Sequence, residues 1–337
     1  MPLVPLINRL LAGSDLDRSE AADLMRFLAR GEAAPEQVAG VLVALQAKGV
    51  RSEELAGFAE VLRVTVLKIQ SGSPNLIDTA GTGGGRSTFN LSTGAAIVAA
   101  AAGAKVAKHG NRSVTSRCGS ADVLEALGVT LIDDPERLSE ILDDVGIAFM
   151  FAPNHHSSMR AVGPVRKALG VRTVFNQLGP LANPAGARRQ LIGVYDRSLV
   201  RPMAEALAIL GAERAYVVHS EDGMDEVSPC APTYFAEMSS GQLKEGHFKP
   251  SDFGLGDLDN SVLEPGESPQ ENANILMSAL DGSDTARSQC LVPNTAVALV
   301  LAGVAATIEE GAHLATKTIW SGEAVRTLDR LVEATKP

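Results

Sequence analysis

Residues 78–128, DTAGTGGGRSTFNLSTGAAIVAAAAGAKVAKHGNRSVTSRCGSADVLEALG, run from a glycine cluster through an alanine-rich segment to the basic group Lys108-His109-Gly110-Asn111-Arg112 and beyond. Gly81, Gly83, Gly84 and Gly85 lack a Cβ, so backbone N–H groups there can approach a ligand closely and take up positive φ at small cost. Asn90, Ser92 and Thr93 follow where the helical run begins. Hydroxyls and free N–H groups thereby converge on the positive end of a helix dipole. Phosphate suits such a site. The apolar run 104–107 reads as a strand, and the basic group behind it is expected at the strand end, facing the same side as the glycine loop.

Two common phosphate fingerprints fail here, because Arg86 stands where the Walker loop and the dinucleotide motif each require a glycine. A glycine-rich turn between a strand and a helix is the plain alternative. The flanking sequence decides the fold class. From residue 75 onward, short apolar runs at 76–77, 105–107, 147–151, 191–194 and 215–218 alternate with helical segments such as 135–144 and 199–210. That alternation predicts an α/β domain with a mixed, mostly parallel central sheet. A hairpin is expected over 234–248, followed by helices from Glu271, Asn294 and Thr307. The first seventy residues differ: 19–29 carries Ala22, Met25 and Leu28 at helical spacing, and 35–48 opens with Pro35 and stops at Gly49. Ser52 is expected to cap a third helix with a stripe of Leu55, Phe58, Leu62, Val66 and Ile69. The expected organisation is a small all-helical N-terminal domain, 1–72, joined by about 160–187 lining a cleft, and a larger α/β domain, 73–159 with 188–337. Each should have its own core.

Composition narrows the function. A formal charge of −10 over 337 residues argues against a nucleic-acid or anionic-membrane partner. Cys118, Cys230 and Cys290 form no CxxC pair and fit a reducing compartment. No secretory leader is read at 1–11, and the apolar runs 95–102 and 296–306 fall short of the roughly 18 residues of a membrane span. A cytoplasmic enzyme is expected.

Three further features carry chemistry. Arg166, in PVRKALG, sits on an expected helix at the cleft, where a guanidinium can bind a carboxylate bidentately; a surface arginine is the alternative. His155 and His156 follow a strand in FAPNHHSSMR, where a loop reaches a ligand or simply bonds to backbone, and no third ligand at metal-binding spacing accompanies them. Asp225-Glu226, in EDGMDEVSP, follows the strand 215–218. Adjacent carboxylates there suit a hard cation such as Mg²⁺, or form a solvated acidic turn.

Taken in order, GTGG (81–84), FNLST (89–93), KHGNR (108–112) and GSADVLEALG (119–128) resemble the motifs of the anthranilate phosphoribosyltransferases, the tryptophan-pathway members of the nucleoside-phosphorylase-like transferases. The resemblance extends from the helical stretch 20–49 to the helix 271–280. It implies transfer of a 5-phosphoribosyl group from 5-phosphoribosyl 1-diphosphate to the amino group of anthranilate. For the donor it implies contacts from Gly81, Thr82, Gly83, Gly84, Gly85 and Thr88 in the loop, and from Asn90, Leu91, Ser92 and Thr93 at the helix start. Lys108, Asn111, Arg112, Ser116 and Ser120 complete that set. For anthranilate it implies Gly81, His109, Asn111, His156, Arg166, Gly179 and Pro180. It also implies Mg²⁺ held by Ser92, Asp225 and Glu226, and a homodimer through the helical domain. No acid or base is assigned; Lys108 and Arg166 act by charge and positioning. The family's loop usually ends in Asp where this chain has Gly85, which puts the metal's affinity and number in question. The alternatives are a non-catalytic or altered-acceptor paralogue, or a pyrimidine nucleoside phosphorylase, whose loop is spelled differently from residues 79–84 here.

Overall fold

The structure, a computed structural model, describes residues 1–113 and 117–336. Helices α1 (Leu3–Leu11), α2 (Arg18–Ala29), α3 (Pro35–Lys48) and α4 (Ser52–Thr65) form a bundle in which α1 packs on α3 and α2 on α4. Asp17 starts α2 through a capping box with Glu20. The buried Glu54 carboxylate at the start of α4 accepts from Leu16 N–H, Arg51 N–H and the Lys48 ammonium, which locks the bundle's loops to its helices. At Val66 the backbone turns extended, so the expected stripe ends there and Ile69 is buried in the core of the α/β half instead.

Seven strands make one sheet: β1 (Leu76–Gly81), β2 (Lys105–Gly110), β3 (Ile147–Phe151), β4 (Arg189–Gly193), β5 (Arg214–Ser220), β6 (Thr233–Ser239) and β7 (Gln242–Phe248), in the order β3-β2-β1-β4-β5-β6-β7. The first five run parallel and β6 and β7 are antiparallel, the mixed, mostly parallel sheet expected. β1 extends to Gly81 because Thr79, Ala80 and Gly81 pair with Leu191, Ile192 and Gly193. From β1 the chain winds outward to β2 and β3, and later returns on the other side to β4. The carboxyl ends of β1 and β4 therefore form a topological switch point, the place in an open α/β sheet where a ligand crevice opens.

The remaining helices are α5 (Leu91–Ala101), α6 (Ser120–Ala126), α7 (Pro135–Val145), α8 (Ala152–His155), α9 (Gly163–Leu169), α10 (Phe175–Leu181), α11 (Val200–Ile209), α12 (Pro269–Leu280), α13 (Thr285–Ala302), α14 (Ile308–Trp320) and α15 (Glu323–Ala334). α5 and α13 cover one sheet face, while α11 covers the other and meets α4. α13 begins nine residues before the expected Asn294, capped by Asp284 and passing through Pro293. A proline ordinarily breaks a helix interior, but residues 290–302 are all buried, and that packing carries the helix through the missing N–H. The bundle has no separate core: its buried residues form one cluster with α10, α11 and the sheet-face residues Ile192, Val194, Val217 and Ala236. Arg63 reinforces the join, donating from α4 to Leu181 O at the end of α10 and to Leu210 O at the end of α11, at 2.7 and 3.0 Å. Among the described residues no helix is long and apolar enough to cross a membrane.

Candidate active site

The glycine loop lies at the switch point. Gly83 and Gly84 adopt φ of +68° and +85°, the left-handed region that glycine tolerates. Asn90, also left-handed at +64°, turns the chain into α5. Thr82 ties the loop to β4: its N–H donates to Gly193 O at 2.9 Å, and its hydroxyl accepts from Tyr195 N–H at 3.1 Å. Asn90 Oδ1 and Thr93 Oγ1 are buried without a partner among the described residues, and Leu91 is buried beneath them.

Asp225 and Glu226 reach into this loop rather than into solvent. Gly83 N–H donates to Asp225 Oδ2 at 2.9 Å. Ser92 N–H and the Thr88 hydroxyl donate to the two Glu226 oxygens, each at 2.9 Å. Both carboxyls are pushed up by desolvation, Glu226 to about 7 with the Asp225 charge adding to the effect and Thr88, Ser92 and Lys108 opposing it. A pair of crowded, desolvated carboxylates is relieved by a hard divalent cation. Ser92, Asp225 and Glu226 line one small cavity. Among the described residues no group of three or more His, Cys, Asp or Glu is placed to hold a metal. The donor set thus fits Mg²⁺, which keeps waters and shares phosphate oxygens, and fits poorly an ion needing a closed protein cage. Gly85 packs against this pair: a Cβ there would meet Asp225 Oδ1 at 2.6 Å and Asp225 N at 2.7 Å.

The expectation that residues 108–112 all face the glycine loop is corrected by strand alternation. Lys108 is buried, donates to Thr79 O at 2.6 Å and feels the charges of Asp78 and Glu226. Desolvation lowers it to about 8. His109 points to the opposite face, where its Nδ1 lies 3.2 Å from Gly179 O and its ring 5.1 Å from that of His156. Asn111 is exposed and Arg112 pairs outward with Asp122 and Glu125 on α6; Ser120 bonds to Asn111 O. Ser116 lies outside the described residues.

His109 meets His156 and Gly179 of α10, and Arg166 of α9 reaches the Phe175 ring at the start of that same helix, which also carries Pro180. His109 is lowered to about 3 by burial and then by His156 and His155, and His156 to about 4 by burial and then by His155, so both imidazoles are neutral near pH 7. His109 Nε2 has no partner among the described residues, whereas the His156 ring meets the Ala182 backbone. His155 is the backbone-bonded member of the pair, its Nδ1 2.7 Å from Leu67 O. Arg166 lies over the Phe175 ring at 5.3 Å and has no hydrogen bond or ion pair among the described residues. Desolvation lowers its pKa, which marks a cation held short of both water and counter-ion.

Sequence reasoning missed the buried scaffold between these halves. Asp78, fully buried on β1, accepts from His109 N–H at 3.1 Å and from Asn183 Nδ2 at 2.7 Å, and burial pushes it up to about 6. The signal was an Asp inside the apolar run LIDTAG. Gln190 supports α10 in the same way, donating to Pro180 O at 2.7 Å.

The chain matches two family models, the glycosyl transferase family a/b domain over residues 73–325 and the helical bundle domain of that family over residues 4–65. An anthranilate phosphoribosyltransferase of Desulfatibacillum aliphaticivorans is 46% identical over 332 residues, 98% of either chain. One of Pelotomaculum thermopropionicum is 47% identical over 98% of this chain and 95% of its own. The crystal structure of anthranilate phosphoribosyltransferase from Thermus thermophilus superposes with a TM-score of 0.91 at 41% identity, covering 98% of this chain and 99% of that one. The Saccharomyces cerevisiae enzyme in complex with PRPP and Mg superposes at 0.88 with 29% identity, covering 99% and 97%.

Proposed function

The chain belongs to the glycosyl transferase family of helical bundle plus α/β domain, among relatives that are anthranilate phosphoribosyltransferases, and on that premise we propose how its own residues perform their reaction. The protein transfers the 5-phosphoribosyl group of 5-phosphoribosyl 1-diphosphate to the amino nitrogen of anthranilate, forming N-(5-phosphoribosyl)anthranilate and diphosphate in tryptophan biosynthesis. The observation that carries the assignment is Arg166, a desolvated guanidinium with no hydrogen bond or ion pair among the described residues, held over Phe175 of the helix whose Gly179 meets the neutral His109. A carboxylated aromatic ring is the ligand that such a pocket accepts.

The donor half holds phosphate. Loop N–H groups of residues 81–85 and the N-terminus of α5, with Thr88, Asn90, Ser92 and Thr93, receive its oxygens, and Lys108 places a buried cation behind them. Mg²⁺, held by Asp225 and Glu226 with Ser92, would supply charge neutralisation to the leaving diphosphate. Negative charge builds on that group as the bond to C1 lengthens. Lys108, bonded to Thr79 O, and the loop N–H groups, of which those of Gly83 and Ser92 donate to Asp225 and Glu226, exchange these protein partners for the oxygens of the donor.

The acceptor half holds the amine in line. Arg166 fixes the carboxylate at one end, while Gly179, Pro180, His109 and His156 bound the ring. An aromatic amine is weakly basic, so the anilinium formed as the N–C1 bond replaces the C1–O bond is strongly acidic and gives its proton to the released diphosphate or to water. Neutral His109 and His156 suit this acceptor because an imidazolium would compete with Arg166 for the carboxylate. Positioning of this kind is worth about 7–11 kcal/mol when the geometry is ideal.

We also infer a homodimer paired through the helical half, supported by the exposed apolar side chains Val4, Leu11 and Val43 on α1 and α3, and a cytoplasmic location. We propose the domain division at 72–73 with 160–187 joined to the bundle, a reading supported by the packing of α9 on α3 and α10 on α4. The test is loss of anthranilate fluorescence with the diphosphate donor across a Mg²⁺ series. Consumption requiring donor and metal is expected; folded protein that consumes none at any Mg²⁺ concentration overturns the assignment.

A further inference from the structure

Arg172 was not singled out by any motif and takes no part in the steps above. It stands two residues beyond Gly170, whose φ of +62° ends α9, and three before α10. It therefore belongs to the arm that presents Arg166 and Gly179. Its guanidinium does not stay with that arm. It donates from Nη2 to Gly84 O, lies over the Tyr195 ring with Cζ 4.3 Å from the centroid, and sits so close to Gly84 that a Cβ there would meet its Nε and Nη2 at 2.7 Å. Tyr195 is fastened to the same loop, since its N–H donates to the Thr82 hydroxyl at 3.1 Å. The arm that bears Arg166 is thus clamped across the switch point to the left-handed Gly84 of the donor loop.

From this geometry we infer that Arg172 is a positioning residue that couples the two halves of the site, so that an anion seated in the glycine loop orders the arm carrying Arg166. The inference rests on the reading of loop and arm as donor and acceptor sites. The physical route is short. Gly83 and Gly84 are conformationally permissive, and the loop carbonyl that Arg172 grips moves with them. A ligand that draws the loop N–H groups inward fixes the Gly84 carbonyl, which fixes the guanidinium against Tyr195 and, through residues 163–172, the helix bearing Arg166. Arginine is suited to the task because a planar fork can bond and stack at once, whereas lysine cannot. The side chain is exposed, so its removal leaves the core intact.

Coupling between sites is reciprocal and measurable. The probe is inorganic diphosphate with Mg²⁺, which occupies the donor loop without allowing turnover. In the wild type, diphosphate is expected to lower the dissociation constant of anthranilate by about fivefold or more, and anthranilate to lower that of diphosphate by the same factor. In Arg172→Ala the factor falls to about 1, with each ligand still binding alone; Arg172→Lys falls between, since it keeps the charge and loses the fork and the stack. Hydrogen exchange read on the same proteins gives a result independent of anthranilate. Diphosphate should protect residues 81–86 and also 163–176 in the wild type, but only 81–86 in Arg172→Ala. An arm that is never protected in the wild type, or equally protected in the variant, overturns the inference. Failure of wild-type turnover with the donor counts against the transferase reading and leaves the exchange result to decide the clamp.

Discussion

Replacing Arg166 by Met removes a positive charge from the acceptor cleft and leaves an apolar stem against Phe175. The guanidinium has no partner among the described residues and is short of water, so its loss should not destabilise the fold, and the melting temperature should hold or rise. Its effect belongs to the ligand. A charge-assisted, two-point bond to a carboxylate contributes about 1.5–3 kcal/mol. At about 1.4 kcal/mol per tenfold, that corresponds to a rise of about 10- to 150-fold in KM for anthranilate. The KM for the diphosphate donor should move by less than about twofold, because Arg166 lies on α9 and the donor loop between β1 and α5. An aniline without the carboxylate supplies the control: wild type should use it poorly, and the variant should use it no worse than wild type does. Steady-state kinetics with the two acceptors decide the matter. Equal rises in KM for donor and acceptor, or a variant that still prefers anthranilate by the wild-type factor, would refute the reasoning.

Three other outcomes follow from the geometry. Asp225→Asn combined with Glu226→Gln removes both desolvated charges and should cut Mg²⁺-dependent turnover on the order of 100-fold, while unchanged turnover across a Mg²⁺ series would show that the cation is held elsewhere. Gly85→Ala forces a methyl against Asp225 and should cost about 1–3 kcal/mol in a thermal melt; an unshifted melt would mean that residues 223–225 relax freely. The pH dependence of stability has a definite sign at the imidazoles. His109 and His156 are lowered to about 3 and about 4, against ~6.5 in the unfolded chain, so below ~6.5 the unfolded chain takes up protons that the folded one refuses. Their contribution is complete above that pH and declines as pH falls, on the order of 1.4 kcal/mol per pH unit for each ring. Asp78 and Glu226, pushed up to about 6 and about 7, act in the opposite direction, so the difference between wild type and His109→Asn/His156→Asn carries the test. Urea midpoints at about pH 7.5 and about pH 5.5 should converge for the two proteins at the lower pH; a constant gap would contradict the assignment.

Most of the architecture was legible because its signals are local. Alternating apolar runs and helical segments identified the α/β half, and proline and glycine punctuated α3. Where local signals and packing disagree, packing decides. Pro293 hid the first part of α13, and the apolar run at 76–77 understated β1, whose last residues are held by pairing with β4. The chemistry was legible as residue types and less so as directions. Lys108 and His109 are neighbours in sequence and lie on opposite faces of β2, a consequence of strand alternation that assigns one to each half of the site. Asp225 and Glu226 read equally well as a solvated turn, and only the folded chain brings Gly83 and Ser92 to them. Asp78, Asn183 and Arg172 were invisible because their partners stand 31 to 105 residues away in sequence.

The most direct test of the central claim is the identity of the bond formed. Anthranilate labelled with ¹⁵N at the amine, incubated with the enzyme, 5-phosphoribosyl 1-diphosphate and Mg²⁺, should give a product whose amine nitrogen is coupled to ribose C1, with one diphosphate released per anthranilate consumed. Diphosphate released while the labelled amine stays unmodified, or a ribosyl group found on the carboxylate, would contradict the account of Arg166 as anchor and the amine as nucleophile.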